Sequence, residues 1–333
     1  MQFTTRVVRS HSFDPWFNLA LEEHLLRSVA DKAQVILYLW QNKHTVVIGR
    51  NQNAWKQCRC TLLEEEGGKL ARRLSGGGAV YHDLGNLNFT FVMSRSFYNL
   101  EKQLAVILDA VKRQGIAARF SGRNDLTAEG RKFSGNAFYF KENMAYHHGT
   151  LLVDVNVEDM VKYLQVSEEK MRSKAVESVR SRVVNLKSLN PELTIEKMAE
   201  SVHAAFNEAY GAAESVEEFD PQSIDLSELY EKYASWDWRL GSTPKFDVDF
   251  STRFPWGEIE VGLVVHKGHI KSARFFSDAM NSQLIMDISP LLAGAPLQAE
   301  AVSSRLVLPE LAEEDQVILN DIRGWLQEKI TNL

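Results

Sequence analysis

The segment Leu70-Ala71-Arg72-Arg73-Leu74-Ser75-Gly76-Gly77-Gly78-Ala79-Val80-Tyr81-His82-Asp83 carries the densest chemistry in the chain. Three consecutive glycines remove the Cβ from one short stretch, so backbone N–H groups can approach a bound group closely. Arg72 and Arg73 add fixed positive charge and forked donors suited to a carboxylate or a phosphate. A surface loop beside a solvated basic pair would read the same way, but the apolar, strand-like Ala79-Val80-Tyr81 after it favours a placed loop. Neither standard phosphate loop fits. Gly67-Gly68-Lys69-Leu70 puts leucine where Ser or Thr must hold magnesium, and the third glycine of a dinucleotide fingerprint falls on Tyr81.

Three further segments have chemical potential. In Ser121-Gly122-Arg123-Asn124-Asp125 and Gly130-Arg131-Lys132-Phe133-Ser134-Gly135, strand alternation predicts Lys132 and Ser134 on one face. An inward lysine needs an anion to offset its desolvation, whereas an edge lysine is simply solvated. Asp125 suits a magnesium ion or the cap of a turn. The pair His147-His148 lacks further ligands at metal spacing and reads as two hydrogen-bonded pocket residues. From Lys170 to Arg182 the chain carries five basic residues, Lys170, Arg172, Lys174, Arg180 and Arg182, against Glu177. Such a run is either a solvated face or a cover for a polyphosphate.

These residues need elements to hold them. Asp14-Pro15 caps a helix whose Phe17, Leu21, Leu25 and Val29 recur every four residues. Strands are predicted at 35–40, 45–48 and 88–93, the first two joined by the polar turn Gln41–His44. Leu104, Ile107, Leu108 and Val111 mark a second helix, followed by short strands near 116–120, 132–140 and 146–153. A long helix runs from Thr194 to Tyr210, with Ile195, Met198, Val202 and Phe206 on one face. The acidic stretch 211–245 reads as a connector that packs. Beyond it, 246–250, 258–266 and 269–276 form a small meander, and Ile318, Ile322, Trp325 and Leu326 mark a terminal helix. Without strict βαβ alternation, the pattern predicts an α+β fold rather than a doubly wound one. It comprises a large catalytic domain, 1–245, with mixed and antiparallel sheets packed with helices, and a small α+β accessory domain, 246–333.

Composition bounds the partners. The 333 residues carry a formal charge of −6, which argues against a general nucleic-acid binder. Residues 1–210 hold 28 basic and 23 acidic side chains, net +5, and residues 211–333 hold 10 and 21, net −11. No 18-residue apolar run or apolar leader is present, so a cytoplasmic chain without membrane contact is expected. Cys58 and Cys60 lie too close in sequence to pair readily and cannot alone complete a zinc site.

Taken in order and spacing, these segments resemble the lipoate–protein ligase A family of the biotin/lipoate ligase superfamily. The resemblance rests on Asp14–Ala20, Thr45–Asn53, Ala71–Arg73 with Ser75–His82, Ser121–Asp125, Lys132 with Ser134-Gly135, His147–Thr150 and Ser178–Arg182. It implies ATP-dependent activation of lipoate to lipoyl-AMP, with ATP and Mg2+ as co-substrate and no tightly bound prosthetic group. The lipoyl group then passes to a lysine of apo lipoyl domains, in 2-oxo-acid dehydrogenase acyltransferases or the glycine-cleavage H protein. By the same match, Lys132 is the catalytic cation and contacts both lipoate and ATP. Arg73, Gly78, Ala79, Val80 and Tyr81 meet ATP, and Arg73, Ser75 and His148 meet lipoate. Asp125 holds magnesium, and Lys170–Arg182 forms the adenylate loop. The family precedent is a monomer whose accessory domain rotates after adenylation. Tyr139 stands where some members carry arginine, and Leu74 where others carry a small polar residue. The competing readings are a lipoyl or octanoyl transferase lacking the ATP step and a non-catalytic lipoate-binding module.

Overall fold

The computed structural model describes residues 3–30, 32–121, 125–164, 179, 181–241 and 246–332. They fall into two compact units. The first comprises Met1–Ile48, Ala54–Arg73 and Ala79–Arg239; the second comprises Gly49–Asn53, Leu74–Gly78 and Leu240–Leu333.

The first unit begins with β1 (Thr4–Ser10), the helix Pro15–Ser28, β2 (Gln34–Trp40) and β3 (Thr45–Ile48). The helix Cys60–Glu65 leads to β4 (Lys69–Arg72), β5 (Val80–His82) and β6 (Asn86–Ser94). The helix Leu100–Arg113 precedes β7 (Ala118–Ser121), β8 (Asp125–Ala128), β9 (Arg131–Lys141) and β10 (Met144–Leu152). The helices Val157–Tyr163 and Ile195–Tyr210 follow, then β11 (Ser215–Phe219) and the helix Ser227–Ala234. Eight of these strands form one sheet in the order β11-β1-β2-β6-β10-β9-β8-β7, and β4-β3-β5 form a second.

Local chemistry accounts for the helix ends. Asp14 accepts the Trp16 amide at 3.0 Å and Pro15 sits at the first helical position, so the orphan donors at that end need little else. Parallel neighbours need a crossover, and the helix Pro15–Ser28 supplies it between β1 and β2. Thr194 caps Ile195–Tyr210, which ends where Gly211 adopts φ +94°. Ile107, Val111, Val202 and Phe206 pack with Leu37, Phe89 and Phe91 of the large sheet to make the core. Burying apolar side chains of this size contributes about 1.5–3 kcal/mol each before entropy is set against it.

Two sequence expectations change here. The 35–40 and 45–48 strands form with a polar turn between them, but the turn separates two sheets, since β2 joins the large sheet and β3 the small one. The acidic connector is more than packing material: its β11 adds a parallel edge strand to β1.

The second unit contains the meander β12 (Val248–Phe254), β13 (Gly257–His266) and β14 (His269–Ser277), paired antiparallel throughout. Lys267 and Gly268, both at positive φ, make its hairpin turn as the sequence predicts. Ile259, Val261 and Leu263 pack against Ile322 and Leu326 of the terminal helix Glu313–Thr331. The helices Ser282–Ile288 and Ala299–Arg305 complete the unit. No helix among the described residues is long and apolar enough to cross a membrane.

Candidate active site

β4 ends at Arg72, and Arg73 just beyond it points the other way, as consecutive residues of extended chain do. Arg72 donates from Nε to the Trp238 carbonyl at 2.9 Å and from Nη2 to the Arg239 carbonyl at 2.8 Å. Trp238 Nε1 returns a bond to the Arg72 carbonyl at 2.8 Å, so Arg72 ties down the connector. Arg73 turns the other way, is only 5% exposed, and donates from Nη1 to the Val47 carbonyl at 3.2 Å. Burial pushes its pKa down to about 10, which leaves the guanidinium charged at neutral pH.

His148 and Arg73 share an electrostatic neighbour in Glu22 of the first helix. Glu22 Oε1 lies 2.9 Å from His148 Nδ1 and accepts the Thr90 hydroxyl at 2.7 Å, and Trp40 Nε1 donates to Thr90 Oγ1 at 3.1 Å. Three strands and one helix therefore fix the orientation of a single imidazole. Tyr146 flanks it at 4.8 Å between ring centroids. His147, one residue earlier, faces the core, with Nδ1 3.0 Å from Gln103 and Nε2 2.8 Å from Asn136. Both histidines are hydrogen-bonded, as their sequence context suggests. No group of three His, Cys, Asp or Glu side chains fit to hold a metal exists among the described residues.

His82 ends β5 and is buried at 3% exposure. Asn42 Nδ2 lies 3.2 Å from Nδ1, so the imidazole proton belongs on Nε2, which has no hydrogen-bond partner among the described residues. Asn86 Oδ1 and Asn88 Nδ2 are likewise buried without partners among the described residues. Unmet donors and acceptors in a protein interior are costly, and Trp40, which meets the His82 ring edge-on and pairs with Asn88 across β2 and β6, joins these groups into one polar wall. Ala79, Val80 and Tyr81 lead into this wall, with Val80 and Tyr81 paired to Val47 and Val46 of β3.

Lys132 lies on β9 at a bulge. Thr127 pairs with Lys132 and Leu126 with Ser134, so Phe133 is the extra residue and drops into the core. The simple alternation expected for Lys132 and Ser134 is broken at that point. Lys132 is half-exposed and its Nζ lies 2.8 Å from Asp125 Oδ1. Its amide donates to the Arg182 carbonyl at 2.8 Å and its carbonyl accepts from Val184 at 2.9 Å. Arg182 is thus beside the lysine through its backbone; Lys170, Arg172, Lys174 and Arg180 lie outside the described residues.

Ser75 and Gly78 belong to the second unit, where the glycine triplet has three separate causes. A Cβ on Gly76 would meet the Ala279 carbonyl oxygen at 2.1 Å. Gly77 has φ +86° and donates to the same carbonyl at 3.3 Å. A Cβ on Gly78 would face open space. Ser75 is fully buried and its carbonyl accepts the Arg50 amide at 2.8 Å. Asn51 Nδ2 donates to the Ser282 carbonyl at 2.7 Å, which anchors the neighbouring loop. Gly76→Ala is expected to destabilise by about 1–3 kcal/mol through overpacking, seen as an earlier denaturant midpoint. Gly78→Ala should leave that midpoint unchanged, and an equal loss in both would refute the distinction.

The model of the lipoyl protein ligase A/B catalytic domain matches residues 14–207, and that of the bacterial lipoate protein ligase C-terminus matches residues 243–326. The lipoate-protein ligase A of Psychrobacter cryohalolentis is 38% identical over 96% of this chain and 97% of its own length. The chain belongs to the lipoate–protein ligase A family. Among solved structures, the ligase is similar to Plasmodium falciparum LipL1, crystallised in complex with lipoate. The two are 30% identical, with a TM-score of 0.86 over 97% of this chain and 99% of that one. It is also similar to the Thermoplasma acidophilum bi-partite lipoate protein ligase, studied with its E2 lipoyl domain. There the identity is 26% and the TM-score 0.66, over 74% of this chain and 100% of that one.

No sequence motif marks Glu22 and Thr90, which hold His148, or the buried Asn86 and Asn88. Glu22 had a usable signal: with Asn18 it places two polar side chains four residues apart on a helix that is otherwise apolar on that side.

Proposed function

We propose that this ligase joins lipoate to ATP, forming lipoyl-AMP and pyrophosphate, and then transfers the lipoyl group to a lysine of apo lipoyl domains. Acyltransferases of 2-oxo-acid dehydrogenases and the glycine-cleavage H protein are the acceptor class. The observation that carries the reading is a charged, half-exposed Lys132 Nζ held 2.8 Å from Asp125, beside a strand edge closed by Arg182–Val184. Attack of the lipoate carboxylate on the α-phosphorus builds charge on phosphate oxygens, and a preset ammonium stabilises it without reorganising. Arg73, Ala79, Val80, Tyr81 and Gly78 are assigned to ATP, and Arg73, Ser75 and His148 to lipoate. Magnesium suits a site with few protein carboxylates, because substrate phosphates and water complete its shell. Asp125 would hold it there, and its charge would offset that of the phosphates. The family matches support a catalytic domain over 1–245, with its connector at 211–245, and an accessory domain over 246–333.

Lipoate in the LipL1 crystal and the lipoyl domain paired with the Thermoplasma ligase support both substrates. A thioester route through cysteine has little support. Cys58 and Cys60 are 1% and 4% exposed, so neither sulfur is open to an acyl thioester, although their hydrogen bond pushes the Cys58 thiol up and holds the Cys60 thiol down. Incubation with ATP, lipoate and an apo lipoyl domain should release pyrophosphate and increase acceptor mass by one lipoyl group. Transfer from supplied lipoyl-AMP without pyrophosphate release from ATP would overturn the ligase reading in favour of a transferase.

A further inference from the structure

The strand assigned to ATP is weakly held by its own backbone. β5 has three residues and pairs with β3 alone, at the edge of the small sheet. Its central residue, Tyr81, is nevertheless only 3% exposed. The ring is fixed by neighbours: Tyr163 stacks on it with centroids 5.7 Å apart and planes at 25°, and His44 meets it edge-on at 6.2 Å.

Tyr163 itself is held at several points. It is 2% exposed, and His44 packs on it at 4.9 Å. Its hydroxyl donates to Glu66, which also takes the Lys162 ammonium. Its carbonyl accepts the Arg59 amide at 2.9 Å, and the next residue, Leu164, bridges to Cys58. The Lys162 and Tyr163 hydrogen bonds hold Glu66 below the usual carboxylate range, so it is an anion at neutral pH. Glu66, Tyr163 and Tyr81 therefore form a strut from the turn before β4 to the middle of β5.

We propose that Tyr163 is a positioning residue for nucleotide binding, acting through the ring of Tyr81 to hold β5 where ATP meets it. The proposal rests on the assignment of Val80 and Tyr81 to ATP made above. Nothing places Tyr163 on the ligand; a stacked ring restricts Tyr81 to one rotamer, and a three-residue strand transmits that restriction to its own backbone. Losing the stack should weaken nucleotide binding in ground and transition states alike, which raises KM and spares kcat.

The test is steady-state kinetics with ATP and lipoate varied in turn. Tyr163→Leu should raise the KM for ATP three- to tenfold, a size typical of one aromatic pair, with kcat and the lipoate KM within twofold. Tyr163→Phe keeps the ring but drops its bond to Glu66, and should raise the ATP KM only two- to threefold, well short of Tyr163→Leu. Glu66→Gln loosens the strut from its exposed end without entering the core, and should raise the ATP KM about two- to threefold. It serves alone if Tyr163→Leu does not fold. Because Tyr163 acts through Tyr81, the Tyr81→Leu, Tyr163→Leu double variant should be no worse than Tyr81→Leu. Additive losses, a Phe variant as impaired as the Leu variant, or an unchanged ATP KM in Glu66→Gln would overturn the proposal. An unchanged ATP KM in Tyr81→Leu would instead remove β5 from the nucleotide site, and with it the reading beneath the proposal.

Discussion

Replacing Lys132 by alanine is expected to lower pyrophosphate release from lipoate and ATP by about 10²–10³-fold while the chain stays folded. The magnitude is that of removing one preset donor from a developing anion. The fold should survive because the structural work at this position belongs to the backbone. The Lys132 amide and carbonyl bind Arg182 and Val184, and alanine keeps both bonds. Asp125, left without its ammonium, is about one-third exposed and can take water instead. Arginine should not substitute. A Cβ at Gly135 would lie 2.9 Å from Lys132 Nζ, which shows how closely the ammonium already fits against that strand. Pyrophosphate release within threefold of the parent would take Lys132 out of adenylation. A melting temperature lowered by more than about 5 °C would show that the side chain is structural after all.

How legible this site was depends on the range over which each contact acts. Caps and helical spacing are local, and Asp14-Pro15 and Thr194 begin helices where the sequence predicts them. The turn at 41–44 misled for a physical reason. Its polar letters suggest solvent, but Asn42 is fully buried and engages Asn18 and His82. The turn is therefore a buried corner between two sheets. β1 reads Thr-Thr-Arg-Val-Val-Arg-Ser, too polar to declare itself, and its neighbour β11 pairs with it from more than 200 residues away. The glycine triplet is the sharpest case. Three identical letters suggest one purpose, whereas Gly76 avoids a carbonyl, Gly77 supplies a left-handed turn and a Cβ on Gly78 would face open space. Lys132 stood out by its motif, but its partner Asp125 and the Phe133 bulge come from strand register, which no single stretch encodes.

Acidification should destabilise the folded chain steeply, beginning near pH 6.5. His82 and His147 are both held neutral by burial, with pKa values pushed down to about 3 from an ordinary 6.5. Nearby Arg73 and His148 add to the effect at His82, and His148 does so at His147. The unfolded chain therefore takes up two protons that the native chain refuses. Stability is complete above the unfolded value of 6.5 and is lost as the pH falls from there toward 3. Each histidine contributes about 1.4 kcal/mol per pH unit, so the pair should cost about 4 kcal/mol by pH 5. Against a typical stability of about 5–15 kcal/mol, that is enough to bring the chain close to unfolding. Denatured-state carboxylates add their own acid sensitivity, but at lower pH, so the onset separates the two causes. Urea midpoints between pH 7.5 and 5 would measure the slope. His147→Gln cannot take up that proton, and although it lowers the midpoint at every pH, it should flatten the slope by about half. His147 faces the core and His82 the wall behind β5, so the variant should keep its affinity for ATP. An unaltered slope in His147→Gln would mean that a different group takes up the proton.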